Sequence, residues 1–315
     1  MLQNLIILRK VIVYAGLILC AATSPGFSAT GHEKVLASKN SPYQYLSVHE
    51  DTARKERYLR NKRNDLNQGG ISLTNPNQLL LPYTQIAFIS LAFLDREPKD
   101  ALFLGLGVGS MPRYFSRFYP EASVDIAEID PDVPPLARNY FFFRESPNMK
   151  LTVNDGRIFV KRTKKQYDII FLDAYQNDSI PFHLTTIEFL REVQAKLNPG
   201  GVVVANVLAQ DFNKFFDSMV TTYRKAFPHV YIFKWKFSDN YIFVATQSVL
   251  FKDKKTIIKR AGLIQKQKRL DINLQEFSQW HTYAAEYGRP DVKVLTDDFA
   301  PVNIYQHQKS GRKSE

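Results

Sequence analysis

Between residues 98 and 246, short apolar runs rich in β-branched residues alternate with stretches of helical periodicity. Runs that are apolar at successive positions are typical of strands buried on both faces of a sheet. Helical segments between such strands predict a parallel sheet that is covered by helices on both faces. Seven strands are predicted, the last two as a hairpin, at 101–104, 123–126, 149–153, 167–172, 202–207, 230–236 and 241–246. The sequence therefore predicts an α/β fold with a Rossmann-like, doubly wound sheet.

Helical patterns are predicted at three places. The first covers residues 111–119 and ends before Pro120, and the second covers residues 185–197 and ends at the Asn-Pro-Gly-Gly sequence of residues 198–201. Proline and glycine just past the last helical position are common stop signals. Residues 251–280 form a basic amphipathic stretch of one or two helices. We expect this stretch to pack through Ile257, Ile258, Leu263, Ile264 and Leu270.

The amino-terminal residues follow a different pattern. Arg9 and Lys10 precede an apolar run that ends at Ala22, and small or turn-forming residues continue to Ala29. This order of basic, apolar and small residues is typical of a secretory signal peptide. The apolar run is shorter than the roughly 20 residues that span a bilayer, which makes an uncleaved membrane anchor the second choice. Residues 1–29 thus predict an exported (periplasmic) or membrane-anchored protein.

Composition narrows the class of protein. The 315 residues include 44% hydrophobic residues and a single cysteine, and the formal net charge is +11. These fractions are typical of a folded globular protein and exclude a disordered tail or a multi-span membrane protein. One cysteine excludes an intrachain disulfide and a cysteine-based zinc site. The basic runs at 54–63, 161–165 and 252–269 are interpreted as solvated faces, because no nucleic-acid-binding motif accompanies them.

A glycine-rich turn follows the first predicted strand of the sheet. Gly105, Gly107 and Gly109 lie directly between strand 101–104 and helix 111–119. Glycine lets the backbone approach a ligand closely, and the next helix offers the free N–H groups of its amino terminus. The turn alone is weak evidence of a ligand site, because a tight structural turn has the same composition.

Acidic residues follow the next three predicted strands, namely Glu128, Asp155 and Asp173. In a doubly wound sheet the carboxyl ends of the strands meet at one edge, and ligands bind where the strand order reverses. Glu128 stands about two dozen residues after the first glycine, which is the spacing of a carboxylate that binds ribose hydroxyls. Asp130 and Asp178 follow the same strands but are equally well explained as turn or capping residues.

A cluster of carboxylates favours a cationic ligand. S-adenosylmethionine or its decarboxylated form, both sulfonium nucleosides, fits such a cluster, whereas the pyrophosphate of NAD would be repelled by it. We therefore expect a sulfonium nucleoside as cosubstrate, with no prosthetic group and no metal.

Taken together, these motifs resemble the spermidine synthase family of polyamine aminopropyltransferases, especially its bacterial spermidine-synthase-like branch, which is related to transporter-fused members. The resemblance covers most of residues 41–302. In the predicted sheet it is carried by residues 104–110, 128–131, 155–157, 167–173 and 198–201. Outside the sheet it is carried by residues 41–44, 81–85, 178–184 and 295–302.

The resemblance implies a class I methyltransferase-type sheet with a small N-terminal β domain. With the predicted leader at 1–29 and the helical pattern near the end, the chain divides into four segments: the leader at 1–29, the small β domain at 35–95, the nucleoside-binding domain at 97–250 and a C-terminal helical extension at 251–315. It also implies roles for single residues. Asp173 and Asp178 would be catalytic. The cosubstrate would be bound by Gln44, Gly105, Gly107, Gly109, Glu128, Asp155 and Gly156. The amine substrate would be bound by Tyr83, Asp297 and Asp298.

The implied chemistry is transfer of an aminopropyl group from decarboxylated S-adenosylmethionine to a diamine such as putrescine, with a carboxylate as the base. Two alternatives stay open. Val108 stands where the family usually carries an aspartate that holds the amino group of the cosubstrate. A methyltransferase that uses intact S-adenosylmethionine, or a non-catalytic protein that binds a nucleoside or a polyamine, is therefore also considered. The partners implied are small-molecule polyamines and nucleosides, no nucleic acid, and a second copy of the chain in a homodimer.

Two further motifs are open to a structural interpretation. Asp297 and Asp298 either close over the cationic substrate or form a turn before Pro301. His183 is either a site residue over the amine or a buried residue that caps the following helix, and the second interpretation is favoured.

Overall fold

The computed structural model describes residues 32–61, 67–175, 179–209, 213–234, 239–287 and 292–298. From Lys34 onward the described residues belong to one compact unit. The predicted leader at residues 1–29 lies outside the described residues.

A four-stranded sheet comes first along the chain. Its strands are β1 (Glu33–Asn40), β2 (Tyr45–Asp51), β3 (Glu56–Asn61) and β4 (Asn67–Ser72), in the order β1-β2-β3-β4. The pairs β2–β3 and β3–β4 are antiparallel. One face of this sheet is apolar and fully buried through Leu46, Val48 and Ile71. The apolar face of an antiparallel sheet must pack on another element to be removed from water. Here it packs on the larger sheet.

The second sheet has eight strands in the order β12-β10-β11-β9-β8-β5-β6-β7. Their bounds are β5 (Asp100–Leu104), β6 (Ser123–Glu128), β7 (Met149–Val153), β8 (Tyr167–Leu172), β9 (Leu197–Leu208), β10 (His229–Lys234), β11 (Asn240–Thr246) and β12 (His281–Tyr283). Strands β5 to β9 are parallel, and β10, β11 and β12 pair antiparallel. Strand order reverses between β5 and β8, so the predicted doubly wound fold is confirmed. A three-residue strand is too short to give a periodic signal, and the sequence did not predict β12.

Eight α-helices are described along the chain. They are α1 (Pro82–Ala87), α2 (Ser110–Phe118), α3 (Val133–Tyr140), α4 (Gly156–Arg162), α5 (Ile187–Gln194), α6 (Phe216–Ala226), α7 (Lys254–Lys268) and α8 (Leu274–Phe277). Short 3₁₀ helices cover Phe88–Phe93, Phe182–Leu184, Ser278–Trp280 and Ala284–Glu286. In the described part of the chain, no helix has both the length and the apolar character needed to cross a membrane.

Successive residues of the parallel strands face two different hydrophobic cores. On β5, Ala101 and Phe103 belong to the core that also contains the apolar face of the four-stranded sheet. Leu102 and Leu104 belong to the core that contains α5 and α6. This alternation places the small sheet and these helices on opposite faces of the large sheet.

Two sequence predictions in this region are wrong in detail. The helix predicted to reach residue 197 ends at Gln194, because Leu197 already pairs with Tyr167 as the first residue of β9. Leu263, predicted to pack, is 48% exposed. Helix α7 instead buries Ile257 and Ala261, which are four residues apart and therefore share the face opposite Leu263.

Candidate active site

The glycine turn joins β5 to α2 at the carboxyl edge of the parallel strands. Gly105 has a φ of +102°, and a Cβ atom at this position would lie 2.2 Å from the backbone oxygen of Asp173. Its N–H donates to the carbonyl of Ala127 at 2.8 Å. Only glycine allows β5 to leave the sheet this close to the end of β8. The turn therefore lies beside the point where strand order reverses.

Glu128, the last residue of β6, is held by the backbone on both sides. The N–H of Leu106 in the glycine turn donates to Oε2 at 2.9 Å, and the N–H of Asp130 donates to Oε1 at 2.9 Å. The residue is only 8% exposed, and this burial raises the pKa of Glu128. Each carboxylate oxygen still has a further lone pair. The fixed carboxylate can accept hydrogen bonds from two neighbouring hydroxyl groups.

Asp130, just after β6, binds the turn before β2 through hydrogen bonds. It is buried, and Ser41 donates its hydroxyl hydrogen to Asp130 Oδ2 at 2.5 Å. The Ser41 hydroxyl also accepts the N–H of Gln44 at 3.0 Å. These bonds fix the turn before β2, and with it Gln44, on the large sheet. Gln44 Oε1 then accepts from Gln68 Nε2 at 2.8 Å, which pairs two amide side chains of the small sheet.

Asp173 follows β8 and receives hydrogen bonds from a neighbouring strand and from helix α1. Asn206 Nδ2 on β9 donates to Oδ1 at 2.8 Å, and the hydroxyl of Tyr83 on α1 donates to Oδ2 at 3.4 Å. Although part of its surface is accessible, burial raises the pKa of Asp173 to about 7, and repulsion from Glu128 adds to the shift. The two donors act in the opposite direction. A carboxyl with this pKa can accept a proton at neutral pH, as a general base must.

Asn206 is itself oriented by a second amide. Asn240 Nδ2 on β11 donates to Asn206 Oδ1 at 2.8 Å, which leaves the amide nitrogen of Asn206 directed at Asp173. The Asn240–Asn206–Asp173 chain thus crosses three neighbouring strands, β11, β9 and β8. Sequence analysis did not find the two asparagines, because neither belongs to a local motif.

We expect Asn206→Ala to move the pH dependence of any activity that needs ionised Asp173. Loss of this donor removes stabilisation of the ionised Asp173 carboxylate and so raises its pKa. The acid limb of the pH–rate profile should therefore move to higher pH by about one unit. The measurement is kcat as a function of pH for the wild type, Asn206→Ala and Asn206→Gln. A lower kcat with an unmoved limb would contradict this role and leave only a structural one.

Asp155 and Gly156 begin α4 after β7. Asp155 Oδ1 accepts the N–H of Ile158 at 2.8 Å and so caps the helix, while His183 Nε2 lies 2.8 Å from Oδ2. His183, predicted to cap a helix, instead contacts this carboxylate. A small apolar cavity in the core that contains α5 and α6 is lined in part by Leu172, Leu184, Phe189, Met219 and Tyr223 but not by Asp155. The Asp155 carboxylate is therefore positioned by the backbone of α4 and by the side chain of His183.

Val108 in the glycine turn faces the small sheet. It is buried, and a Cβ atom added to Gly69 on β4 would lie 2.7 Å from Val108 Cγ1. The turn therefore packs directly on β4, and the position at which the family usually carries an aspartate is apolar in this chain.

The carboxyl-terminal motif that contains Asp297 and Asp298 lies on helices α4 and α5. Arg157 donates to Asp297 through two bonds of 2.7 Å and to Glu192 through two bonds of 2.8 Å. Thr186 also donates to Asp297, at 2.7 Å. The contacts of Asp297 thus bind residues 292–298 to the helices, and its role in binding the amine stays a prediction. Asp298 is exposed.

Asp297→Asn is expected to lower the free energy of unfolding by about 1 kcal/mol near neutral pH, because it removes the ion pair with Arg157. The loss is small because the carboxylate is 42% exposed and water replaces part of the interaction. Arg157 lowers the pKa of Asp297, so this stabilisation is present above the unfolded-state pKa of about 4 and is lost as the pH falls through the folded-state value. Denaturant titrations over a pH series measure the difference. Asp298→Asn is the matched control, and an equal loss in both variants would contradict the prediction.

Most of the predicted site residues meet at one edge of the sheet. Glu128 contacts the glycine turn, Asp173 lies against the same turn, and Tyr83 contacts Asp173. Asp178 lies outside the described residues. The residues that the sequence did not indicate are Gln68, Asn206 and Asn240. Among the described residues, no group of histidine, cysteine and acidic side chains could hold a metal ion.

Comparison with known proteins agrees with this geometry. The spermine/spermidine synthase domain model matches residues 81–257. A polyamine aminopropyltransferase from Vibrio vulnificus is 31% identical over 91% of this chain and 96% of that protein. An eEF1A lysine and N-terminal methyltransferase from Bos taurus is 30% identical, over 43% of this chain and 21% of that protein. The crystal structure of a protein described as a probable spermidine synthase from Corynebacterium glutamicum superposes with a TM-score of 0.65, at 19% identity over 84% of this chain and 97% of that one. The chain belongs to the spermine/spermidine synthase family.

Proposed function

We propose that this chain is an aminopropyltransferase that moves the aminopropyl group of decarboxylated S-adenosylmethionine to a diamine such as putrescine. The observation that carries the proposal is Asp173, a carboxyl with a pKa of about 7 that is held between Asn206 and Tyr83 beside the glycine turn. Membership of the family supports the same activity.

In the proposed reaction, Asp173 accepts a proton from the ammonium group of the diamine. The neutral amine nitrogen then attacks the carbon next to the sulfonium sulfur, so that a C–N bond forms as the C–S bond breaks. The electron pair of the broken bond stays on sulfur, and neutral methylthioadenosine leaves. Since the amine and the sulfonium are both cationic before the step, a site with ionised carboxylates reduces their repulsion.

Glu128 and Asp155 are proposed to hold the nucleoside. The remaining lone pairs of the Glu128 carboxylate accept the ribose hydroxyls, and its two backbone donors fix its position before the ligand binds. Asp155, held by the N–H of Ile158 and by His183, is proposed to meet the adenine amino group. Preorganised polar groups of this kind reduce the entropy lost on binding.

Methyl transfer is the second candidate function, and Val108 is the observation that favours it. An apolar residue in the glycine turn provides no counter-charge for the amino end of a decarboxylated cosubstrate, and it does not repel the carboxylate of the intact one. The methyltransferase relative covers less than half of the chain.

Calorimetric titration with decarboxylated S-adenosylmethionine, S-adenosylmethionine and methylthioadenosine tests the proposal. Product analysis with putrescine follows for each cosubstrate that binds. Preference for the decarboxylated form together with release of methylthioadenosine is the expected result. Preference for the intact form with a methylated product would favour the second candidate, and no binding of the three would leave a non-catalytic protein.

Residues 1–29 are further proposed to direct export to the periplasm or to anchor the chain in a membrane, on the basis of their sequence pattern alone. A homodimer is proposed from family membership. Fractionation of cells that express the full chain, and light scattering of the purified protein, test these two proposals.

A further inference from the structure

The outer face of α7 carries positive charge. Lys255, Lys259 and Lys266 are exposed, and their spacing places them on one side of the helix. Lys254 and Arg269 are exposed at its two ends. Within the described ranges, no carboxylate lies at ion-pair distance from any of these five residues. This cluster of cations is therefore free to meet an external anion.

The basic residues on the inner side of this region do have acidic partners. Lys252 lies 3.2 Å and Arg260 lies 3.5 Å from Asp95, and Lys268 lies 2.6 Å from Glu97. Asp95 and Glu97 thus neutralise positive charge on the side of α7 that packs on the domain. The positive charge on its outer face is not neutralised by them. The exposed acid Asp253 caps the helix by accepting the N–H of Thr256 at 2.8 Å.

Exposed apolar side chains lie close to these lysines in the sequence. Val249, Leu250 and Phe251 end two residues before α7 begins and are 82%, 70% and 53% exposed. Leu263, within the row of lysines, is 48% exposed. Phe251 stacks on Tyr231 with ring centroids 5.7 Å apart, which fixes the position of this segment on β10. Three consecutive exposed apolar residues are a feature that monomeric proteins rarely keep without a binding partner.

We infer that Val249–Phe251 and the outer face of α7, together called the α7 surface, dock on an anionic lipid bilayer. Exposed lysines beside apolar side chains suit a bilayer, because the lysines meet the headgroup charge while the apolar groups enter the acyl boundary. Trp280, in the 3₁₀ helix that packs on α7, is also exposed, and tryptophan is favoured at membrane interfaces. A second copy of this chain would bring like charges together, and a nucleic acid would leave Val249 and Leu250 in water.

The test measures contact at the α7 surface itself, so that it stays valid if residues 1–29 also bring the chain to a membrane. The full chain with Cys20→Ser and Leu250→Cys carries an environment-sensitive fluorophore at position 250. The matched chain carries it through Thr152→Cys on β7, an exposed position on the opposite edge of the sheet. Vesicles of phosphatidylcholine, with and without phosphatidylglycerol, contain a quencher on their acyl chains.

We expect the acyl-chain quencher to act on the label at position 250 in phosphatidylglycerol vesicles and to leave the label at position 152 unaffected. For the triple variant Lys255→Glu, Lys259→Glu and Lys266→Glu, the lipid concentration that gives the same quenching should be at least about tenfold higher. Each reversed charge weakens the attraction to the headgroups. The melting temperature of this variant shows whether it is folded. Equal quenching at both positions, quenching that is independent of phosphatidylglycerol, or protection of position 250 by duplex DNA or by self-association would overturn the inference. These outcomes do not depend on the reaction that the site catalyses.

Discussion

Asp173→Asn is expected to reduce kcat by about a thousandfold while leaving the affinity for the nucleoside nearly unchanged. Asparagine can still accept the hydrogen bond from Asn206, so the local structure is preserved, but it cannot take a proton from the amine. Release of methylthioadenosine measures kcat, and calorimetric titration with methylthioadenosine measures the affinity. A variant that keeps most of its kcat would show that another group is the base.

The same substitution should stabilise the protein. Burial raises the pKa of Asp173 from its ordinary value to about 7, so ionisation of this group favours the unfolded state. Relative to the wild type, Asp173→Asn should therefore melt at a higher temperature above pH 7, and the difference should disappear below about pH 4, where both states are protonated. Thermal melts across this pH range measure the effect, and a lower melting temperature at alkaline pH would contradict the assigned environment.

Gly105→Ala is expected to lower the free energy of unfolding by about 3 kcal/mol or more. Alanine at a φ of +102° is strained, and its Cβ would lie 2.2 Å from the backbone oxygen of Asp173. Backbone at this position cannot move without separating β5 from β8, so the substitution should also impair nucleoside binding. Denaturant unfolding measures the stability, and calorimetric titration measures the binding.

Gly200→Ala is the matched control for this prediction. Gly200 also has a positive φ of +77°, but no atom lies within 4 Å of a Cβ placed there. It should lose only the backbone strain, about 1 kcal/mol, and leave binding unchanged. Similar losses of stability in the two variants would show that the close approach of the turn to Asp173 contributes nothing.

The carboxyl-edge acids illustrate what local patterns can predict. Glu128, Asp155 and Asp173 each stand at or just after the end of a predicted strand, and the alternation of strands and helices makes the strands parallel. Parallel strands bring their carboxyl ends together, so the sequence predicts a common edge for these residues without any knowledge of their contacts. The family motifs then add Tyr83 from α1 and Gln44 from the turn before β2.

Local patterns did not predict the protein partner of Asp297 or the role of the asparagines. A pair of acids near the end of the chain resembles a substrate clamp, and the pattern gives no sign that Asp297 binds Arg157, because the two residues are far apart in sequence. Asn206 lies inside an apolar strand and Asn240 begins one, and single polar residues at such positions give no motif. Their role depends on the register of β8, β9 and β11, which packing of the whole sheet sets.

The sequence by itself determined the fold class, the glycine turn and the edge at which ligands bind, because hydrophobic periodicity and backbone freedom are local properties. Tertiary structure decided which side chains meet there. It assigned Asp130 to Ser41, Asp297 to Arg157, and Asn206 to Asp173. It also raised the pKa of Asp173 through burial, a property that arises only when the chain packs around the carboxylate.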